Sequence, residues 1–234
     1  MESRRSRGPP VSDPATRGEV TIRTFTGGAF TQNSFLVTCA RTRAAILVDP
    51  GAATPEMLEA ARAAGVRVEA IVLTHAHLDH VEGVALAKRE TGVPIFLHPD
   101  DNRLYGGAQM QADWFGVKLE PLPPVDAELE HGGTVRFGEC ELAVRHTPGH
   151  APGHVILVGD GVALVGDVIF MGSIGRTDLP GGDLQTLMKS IRGEILTLPD
   201  GTTLFNGHGP ETTVGHERVS NPFLTGVYGG SSFA

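Results

Sequence analysis

A run of potential metal ligands, Thr74-His75-Ala76-His77-Leu78-Asp79-His80, is the strongest chemical signal in the sequence. Three imidazoles and one carboxylate lie within six residues, a density that is rare in an ordinary polar turn. Imidazole and carboxylate groups together suit zinc, and also iron or manganese. Side chains two residues apart on an extended segment point the same way, so His75 and His77 are expected to bind one ion. Asp79 and His80 then point elsewhere, which predicts a second ion nearby.

Three later motifs contain further candidate ligands. In the turn at residues 147–154, Pro and Gly residues permit close approach of the backbone, and the spacing allows either His150 or His154 to bind metal. A turn with capping histidines is the competing interpretation of this motif. Asp167 follows an apolar run, and its carboxylate could bridge two ions, whereas His208 lies between glycines just past another apolar run. Together these residues could complete a two-metal centre.

The elements that must position these motifs are indicated by short apolar runs between turns. Strands are predicted at residues 19–25, 34–38, 44–48, 70–73, 95–97, 134–137, 141–145, 155–158, 162–165 and 203–205. Helices are predicted at residues 54–64, at about 81–91, from 183 onwards and after 212. The segment 105–124, which is marked by Gly and Pro, is predicted to be a long loop.

The order of these elements predicts the domain organisation. Two sets of strands are each followed by helices, and no segment between them is typical of a linker. Residues 19–234 are therefore predicted to form one α/β domain, with two facing β-sheets and helices on their outer faces. Residues 1–18 are rich in Arg, Ser and Pro and contain no apolar stretch, so they are predicted to form a flexible tail.

The composition excludes several classes of protein. Hydrophobic residues are 40% and charged residues 20% of the 234, which excludes gross disorder. The net charge of −8 argues against nucleic-acid binding, and the apolar runs are too short to cross a membrane. Cys39 and Cys140 are the only cysteines and are interpreted as core residues. So few cysteines, without a recognisable secretion signal, predict a cytoplasmic protein.

The order of the ligand motifs resembles that of the metallo-β-lactamase fold superfamily, over residues 19–224. The resemblance implies an αββα sandwich with the ions at one edge of the paired sheets, and it implies His150 rather than His154 as the ligand. It assigns the first ion to His75, His77 and His150, the second to Asp79, His80 and His208, and the bridging position to Asp167. Two divalent cations per chain are expected, zinc first, with iron or manganese compatible with the same ligands.

Five histidines remain outside this set: His98, His131, His146, His154 and His216. They are interpreted as surface or capping residues or as partners behind the ligands, with His146 and His154 expected nearest the site. Asp49 is expected to cap a turn behind the metals. Asn33 is expected to have a role in a turn, with lining of the pocket as the alternative. Trp114 and Phe115 are expected either to cover the substrate or to pack beneath it.

Finer features resemble the glyoxalase II-type hydrolases, in their compact single-domain bacterial form. These features are the loop at residues 172–178 with its Gly-Arg-Thr-Asp segment, the Gly182-Asp183 pair and the ending at residues 207–223. A β-lactamase of the common class would carry Cys where Asp167 stands. Larger glyoxalase II enzymes bind glutathione partly through a C-terminal helical region. Only 26 residues follow His208, from 234 − 208, so that region is expected to be absent.

The resemblance implies a hydroxyacylglutathione hydrolase-like reaction, in which hydroxide held between two metal ions attacks a thioester. Asp79 would bind metal and orient this nucleophile. The expected partner is a small anionic thioester, and no Ser or Cys nucleophile is required. Arg176 and Arg218 are candidate contacts for a substrate carboxylate, although each could equally make a structural salt bridge.

Two other functions compete with thioester hydrolysis. A persulfide dioxygenase would hold one iron on His75, His150 and Asp167 and consume oxygen, and that branch also carries the Gly-Arg-Thr-Asp loop. The ending around His208 favours the hydrolase. The other alternative is a non-catalytic module that only binds metal.

Overall fold

Two β-sheets form the frame of the molecule in the computed structural model, which describes residues 15–17 and 20–226. Within those residues the first half of the chain forms a seven-stranded sheet whose spatial order follows the sequence. Its strands are β1 (Ala15–Arg17), β2 (Val20–Gly27), β3 (Gln32–Cys39), β4 (Ala44–Val48), β5 (Arg67–Val72), β6 (Ile95–Leu97) and β7 (Ala127–Glu128). Strands β1 to β4 pair antiparallel, whereas β4 to β7 pair parallel.

The second half of the chain forms the second sheet and a short separate hairpin. Its strands are β8 (Thr134–Phe137), β9 (Cys140–His146), β10 (Val155–Gly159), β11 (Val162–Gly166), β12 (Ile169–Phe170), β13 (Ser173–Ile174), β14 (Thr203–Asn206) and β15 (Thr212–Thr213). The sheet has the order β15-β14-β11-β10-β9-β8, and β12 pairs with β13. Because β11 and β14 are parallel while β9, β10 and β11 alternate, the strands β9, β11 and β14 end at the same edge.

Helices cover the outer face of each sheet. They are α1 (Thr54–Ala64), α2 (Leu78–Val81), α3 (Val84–Thr91), α4 (Asn102–Gly106), α5 (Ala108–Phe115), α6 (Leu184–Ser190) and α7 (Val214–Ser220). One apolar cluster joins α1, α3 and α5 to the first sheet, and another joins α6 and α7 to the second. The predicted αββα sandwich is confirmed. None of the helices described is both long and apolar enough to cross a membrane.

The core between the sheets explains why the strands read as apolar runs. Strand β4 is buried at all five positions, because the second sheet lies on one face and helices lie on the other. Phe35 on β3 meets Phe205 on β14 edge to face, with ring centroids 6.1 Å apart, so aromatic packing joins the two sheets. Cys39 and Cys140 are buried in this core as free thiols, which confirms their interpretation as core residues.

Three sequence-based expectations differ from the structure. The segment predicted as a loop contains α5 and the last two residues of α4, because Gly107 only separates two short helices. The helix predicted at about 81–91 begins only at Val84, as α3, because Glu82 and Gly83 separate it from α2. At Gly83 a Cβ would overlap the Thr54 hydroxyl. The predicted tail lies outside the described residues except for Ala15–Arg17, which pairs with β2 as an edge strand.

Candidate metal centre

Every predicted ligand lies just beyond the carboxyl end of a strand. The segment that holds His75 to His80 follows β5, His150 follows β9, Asp167 follows β11 and His208 follows β14. The sheets are tied together at this edge, since Val155 donates its backbone N–H to Thr74 at 2.8 Å and Asn33 donates its own to Gly207 at 2.8 Å. The shared edge therefore brings ligands from both halves of the chain to one point.

The first ligand group consists of three buried imidazoles. His77 Nδ1 lies 2.8 Å from His150 Nε2, which lies 3.2 Å from His75 Nε2. Three ring nitrogens this close repel one another unless a proton or a cation lies between them. Three imidazoles leave further coordination positions open, as in catalytic zinc sites.

The second group joins Asp79, His80 and His208, whose ligand atoms lie within 4.8 Å of one another. His208 Nε2 lies 3.2 Å and His80 Nε2 lies 3.9 Å from Asp79 Oδ2. All three side chains belong to segments that follow β5 or β14. This group could hold a second cation beside the first.

Asp167 lies between the two groups. Its Oδ1 is 3.3 Å from His80 Nε2, and its Oδ2 is 3.5 Å from His150 Nε2 and 3.3 Å from His208 Nε2. Asp167 Oδ1 and His80 Nε2 are buried, and among the described residues neither makes a well-aligned hydrogen bond. Buried polar atoms in this state are rare in folded proteins, and a cation would satisfy both. The donor set and its geometry thus fit two cations with one carboxylate between them.

The electrostatics of the two groups differ. Burial, followed by the effect of His150, lowers the pKa of His77 to about 3, and burial also lowers the pKa values of His75 and His150. These imidazoles are therefore neutral and offer lone pairs to a cation. Burial alone would lower the pKa of His208, but hydrogen bonds to Asp167 and Asp79 outweigh it and raise that pKa to about 10. A dication in the second group would take the place of such protons.

Partners behind the ligands fix the orientation of the rings. Asp49 Oδ2 accepts a hydrogen bond from His80 Nδ1 at 2.9 Å. The backbone carbonyl of Arg176 lies 2.8 Å from His150 Nδ1, and that of Phe30 lies 3.0 Å from His208 Nδ1. Each contact places the proton on Nδ1, so that Nε2 faces the centre of the site.

The remaining histidines take different positions. His154 stacks on the ring of His75 at 4.8 Å, and its Nε2 accepts the backbone N–H of Asp167 at 3.0 Å, so it is a partner behind the ligands. His146 instead stacks on His98 at 4.1 Å, and these two rings form a separate group with Asp100. The other two histidines that were not assigned as ligands are His131 and His216. His131 accepts the backbone N–H of His146, and His216 is exposed.

Arg176 lines the cavity at the metal ligands, whereas Arg218 is bonded to Asp200. The loop that contains Arg176 borders the cavity at the metal ligands, a space of about 350 Å³, although its guanidinium makes two 2.7 Å contacts with Asp178. Arg218 bonds Asp200 and the carbonyl of Leu196, beside the start of β14, whereas the ligands follow the end of that strand. These contacts correspond to the structural salt bridge that was the alternative interpretation of Arg218, and a contact between Arg218 and the substrate stays a prediction.

Several supporting residues were missed or assigned a lesser role from the sequence. The Asn33 side chain donates to the carbonyls of Asn206 and Gly209 at 3.0 and 2.9 Å and so anchors the turn that carries His208. The carboxylate of Asp101 accepts the backbone N–H groups of Ala76 and Gly153 and thereby joins two ligand loops. No local sequence signal identifies these long-range contacts.

Asp49 could have been identified as a partner of the ligands. It follows the buried strand β4, which lies parallel to and beside β5, so both strands end at one edge. Its backbone has φ of 49°, a left-handed conformation that Asp tolerates better than most residues. A polar residue that follows a strand at that edge of a parallel sheet indicates a role in the functional site.

Comparisons with known proteins extend over the whole sandwich. The family model described as the metallo-beta-lactamase superfamily matches residues 27–208. Hydroxyacylglutathione hydrolase GloC of Haemophilus influenzae is 38% identical over 205 residues, which are 84% of this chain and 94% of that protein. The probable metallo-hydrolase YqgX of Bacillus subtilis is 37% identical over 185 residues, 77% of this chain and 87% of that protein.

Solved structures resemble this fold closely. TTHA1623 in a di-iron-bound form has a TM-score of 0.78 at 40% identity and covers 86% of this chain and 99% of its own. The BLEG-1 B3 metallo-beta-lactamase has a TM-score of 0.79 at 34% identity, and the match covers 88% of this chain and 100% of that chain. ETHE1 from Myxococcus xanthus has a TM-score of 0.75 at 22% identity, and the match covers 88% of this chain and 84% of that chain. This likeness shows the fold alone.

Proposed function

The chain belongs to the metallo-β-lactamase superfamily of metal-dependent hydrolases, and we propose that within it the protein is a thioester hydrolase of the glyoxalase II type. The observation that carries this proposal is the presence of two ligand groups with Asp167 in contact with both. The 38% identity to GloC over nearly the whole chain supports the choice of thioester substrates. An acyl-glutathione is the first substrate to test.

We infer that two divalent cations bind per chain, with seven ligands. The first would be held by His75, His77 and His150, the second by Asp79, His80 and His208, with Asp167 shared between them. Imidazole and carboxylate ligands accept zinc, iron or manganese, and zinc is the metal proposed here. The iron in the TTHA1623 structure makes metal analysis of the native protein the deciding measurement.

The metal ligands, Asp79 and Arg176 have different roles in the proposed hydrolysis. A pair of divalent cations lowers the pKa of water to about 7 and polarises a carbonyl oxygen. Although burial opposes it, His80 and His208 keep the pKa of Asp79 below its ordinary value, so its carboxylate stays ionised and can accept a hydrogen bond from the attacking water. The neutral first-group imidazoles and only two carboxylates leave the loaded centre positive, which suits an anionic substrate. Arg176, which borders the cavity, is the candidate contact for a substrate carboxylate.

The experiment combines metal analysis with assays of alternative reactions. The purified protein should contain close to two metal ions per chain and release free thiol from S-D-lactoylglutathione or a related thioester. One iron per chain with oxygen uptake on glutathione persulfide would instead identify a persulfide dioxygenase. Two metals without hydrolysis of any thioester or lactone would favour a module that only binds metal. Nitrocefin belongs in the same panel, because of the likeness to the BLEG-1 enzyme.

Substitution of single ligands tests the residue assignments. His77→Ala should abolish hydrolysis and lower metal occupancy while the fold persists, and Asp79→Ala should lower activity even if one metal remains. His216→Ala is the matched control, because His216 is an exposed histidine on α7 outside both ligand groups. Near wild-type activity in His77→Ala would contradict the ligand assignment.

A further inference from the structure

A second cavity opens directly beside the metal ligands. It has a volume of about 310 Å³, and His77, Gln111, Phe115 and Leu179 line both spaces, so the two cavities adjoin. Its walls are α4, α5 and the turn around Pro180. We call this space the side groove. A substrate whose reacting carbonyl lies at the ligands can therefore extend into it.

The walls of the side groove are mostly apolar, and several of their side chains are exposed. Met110, Trp114 and Phe115 on α5 are 54%, 59% and 51% exposed, and they are half of the exposed large hydrophobic residues among those described. Phe115 is held edge to face against Phe30, with ring centroids 5.1 Å apart. A cluster of exposed large apolar side chains at a cavity mouth marks a surface for an apolar ligand.

Gln111, at the inner end of the side groove, already has both ends of its amide engaged in hydrogen bonds. Gln111 Oε1 accepts the backbone N–H of Leu78 at 3.1 Å, and its Nε2 donates to the carbonyl of Leu104 at 3.2 Å. The charged side chains that line the groove, Asp100 and Arg103, are exposed. Away from Asp100 and Arg103, a peptide-like chain in the groove would leave amide groups without side-chain partners, which is costly, whereas an alkyl chain would not.

We propose that the side groove binds the acyl chain of the substrate and selects thioesters whose acyl group is apolar and longer than two carbons. This inference rests on the proposed thioester hydrolysis. A thioester carbonyl has two substituents, the acyl carbon and the sulfur. The acyl chain enters the side groove, and the polar thiol carrier extends along the open side of the metal cavity, near Arg176 and Ser173.

Acyl chain length is the first test. Thioesters of N-acetylcysteamine with acetyl, butanoyl and hexanoyl groups keep the thiol carrier constant. On the metal-loaded protein, kcat/KM should rise about two- to fourfold for each added methylene, the upper value corresponding to roughly 0.8 kcal/mol for complete burial of one CH₂. Equal kcat/KM for all three thioesters would overturn the proposal, whereas no cleavage of any thioester would overturn the proposed function.

Substitutions in the wall of the side groove test whether the groove determines the preference for longer acyl chains. In Trp114→Ala the ratio of hexanoyl to acetyl kcat/KM should fall about tenfold, as expected if the indole covers two methylenes. Val219→Ala is the matched control, because Val219 is an apolar side chain 71% exposed on α7, outside the groove. An unchanged ratio in Trp114→Ala, or an equal fall in Val219→Ala, would refute the assignment.

Fluorescence tests binding without catalysis. Trp114 is the only tryptophan of the chain, so its emission reports directly on the side groove. Octanoate should shift the emission to shorter wavelength, acetate should not, and Met110→Gln should weaken the octanoate response several-fold. The absence of any response to octanoate would overturn the groove assignment, and this holds whether or not thioesters are cleaved.

Discussion

The role of Asp49 behind the metal ligands leads to a quantitative prediction. This carboxylate is completely buried and accepts three hydrogen bonds, from the backbone N–H of Thr74 at 2.7 Å, its hydroxyl at 2.6 Å and His80 Nδ1 at 2.9 Å. In Asp49→Asn an amide NH₂ must face at least one of these donors. We expect the orientation of the His80 ring to be lost while the fold persists.

The magnitude follows from the bond to His80. A hydrogen bond to a charged group contributes about 1.5–3 kcal/mol, which corresponds to roughly 10- to 150-fold in affinity. Loss of a carboxylate behind a metal-bound histidine typically lowers metal affinity by about 10–100-fold, in agreement with that range. Because His80 belongs to the second group, we expect one of two zinc ions to bind that much more weakly and the other to lose less affinity.

Zinc titration of the metal-free protein against a chelator of known affinity measures both sites. Glu217→Gln is the matched control, because Glu217 is an equally buried carboxylate whose partners are Thr212, Gly172 and Asn221 rather than a predicted ligand. Two unchanged zinc affinities in a folded Asp49→Asn protein would refute the reasoning. An equal loss of affinity in Glu217→Gln would show that the effect is a general consequence of removing buried charge.

Three further substitutions test the packing around the site. Gly207→Ala should lower metal content and abolish activity, because the added Cβ would overlap Asp167 Oδ1. Gly201→Ala is the control and should leave the metal content unchanged, since no atom lies within 4 Å of the added Cβ. Phe35→Ala should lower the free energy of unfolding by about 3–5 kcal/mol in urea denaturation, and a loss below about 1 kcal/mol would contradict its place in the core between the sheets. Asp101→Asn should lower the free energy of unfolding by about 1–3 kcal/mol, because an amide cannot accept both backbone N–H groups, and an unchanged denaturation midpoint would argue against that double acceptor role.

The differences between the sequence-based expectations and the structure have a common physical origin. The segment at 105–124 contains several Gly and Pro residues, and local rules predict a loop there. Burial of Ala108 and Ala112 against the first sheet nevertheless stabilises α5. Arg218 is near the ligand motifs in the sequence, but its ion pair with Asp200 holds it beside the start of β14. Both outcomes depend on contacts between segments that are distant along the chain.

Local information was sufficient for the strands of four or more residues and for the types of ligand. A strand such as β4 is an unbroken apolar run, so its limits can be predicted from hydrophobicity alone. Likewise, three imidazoles and a carboxylate within six residues indicate metal binding before any fold is known. These features lie within single segments, which is why the sequence by itself determined them.

The convergence of the ligands was decided by the tertiary structure. His77 and His150 are 73 residues apart in the sequence, and their ring nitrogens come within 2.8 Å because β5 and β9 end at the same edge of the two packed sheets. The partners that orient the rings, such as Asp49, and the apolar side groove formed by α4 and α5 arise in the same way. Spacing along the chain specifies which side chains can bind metal, whereas the pairing and packing of strands specify which of them meet.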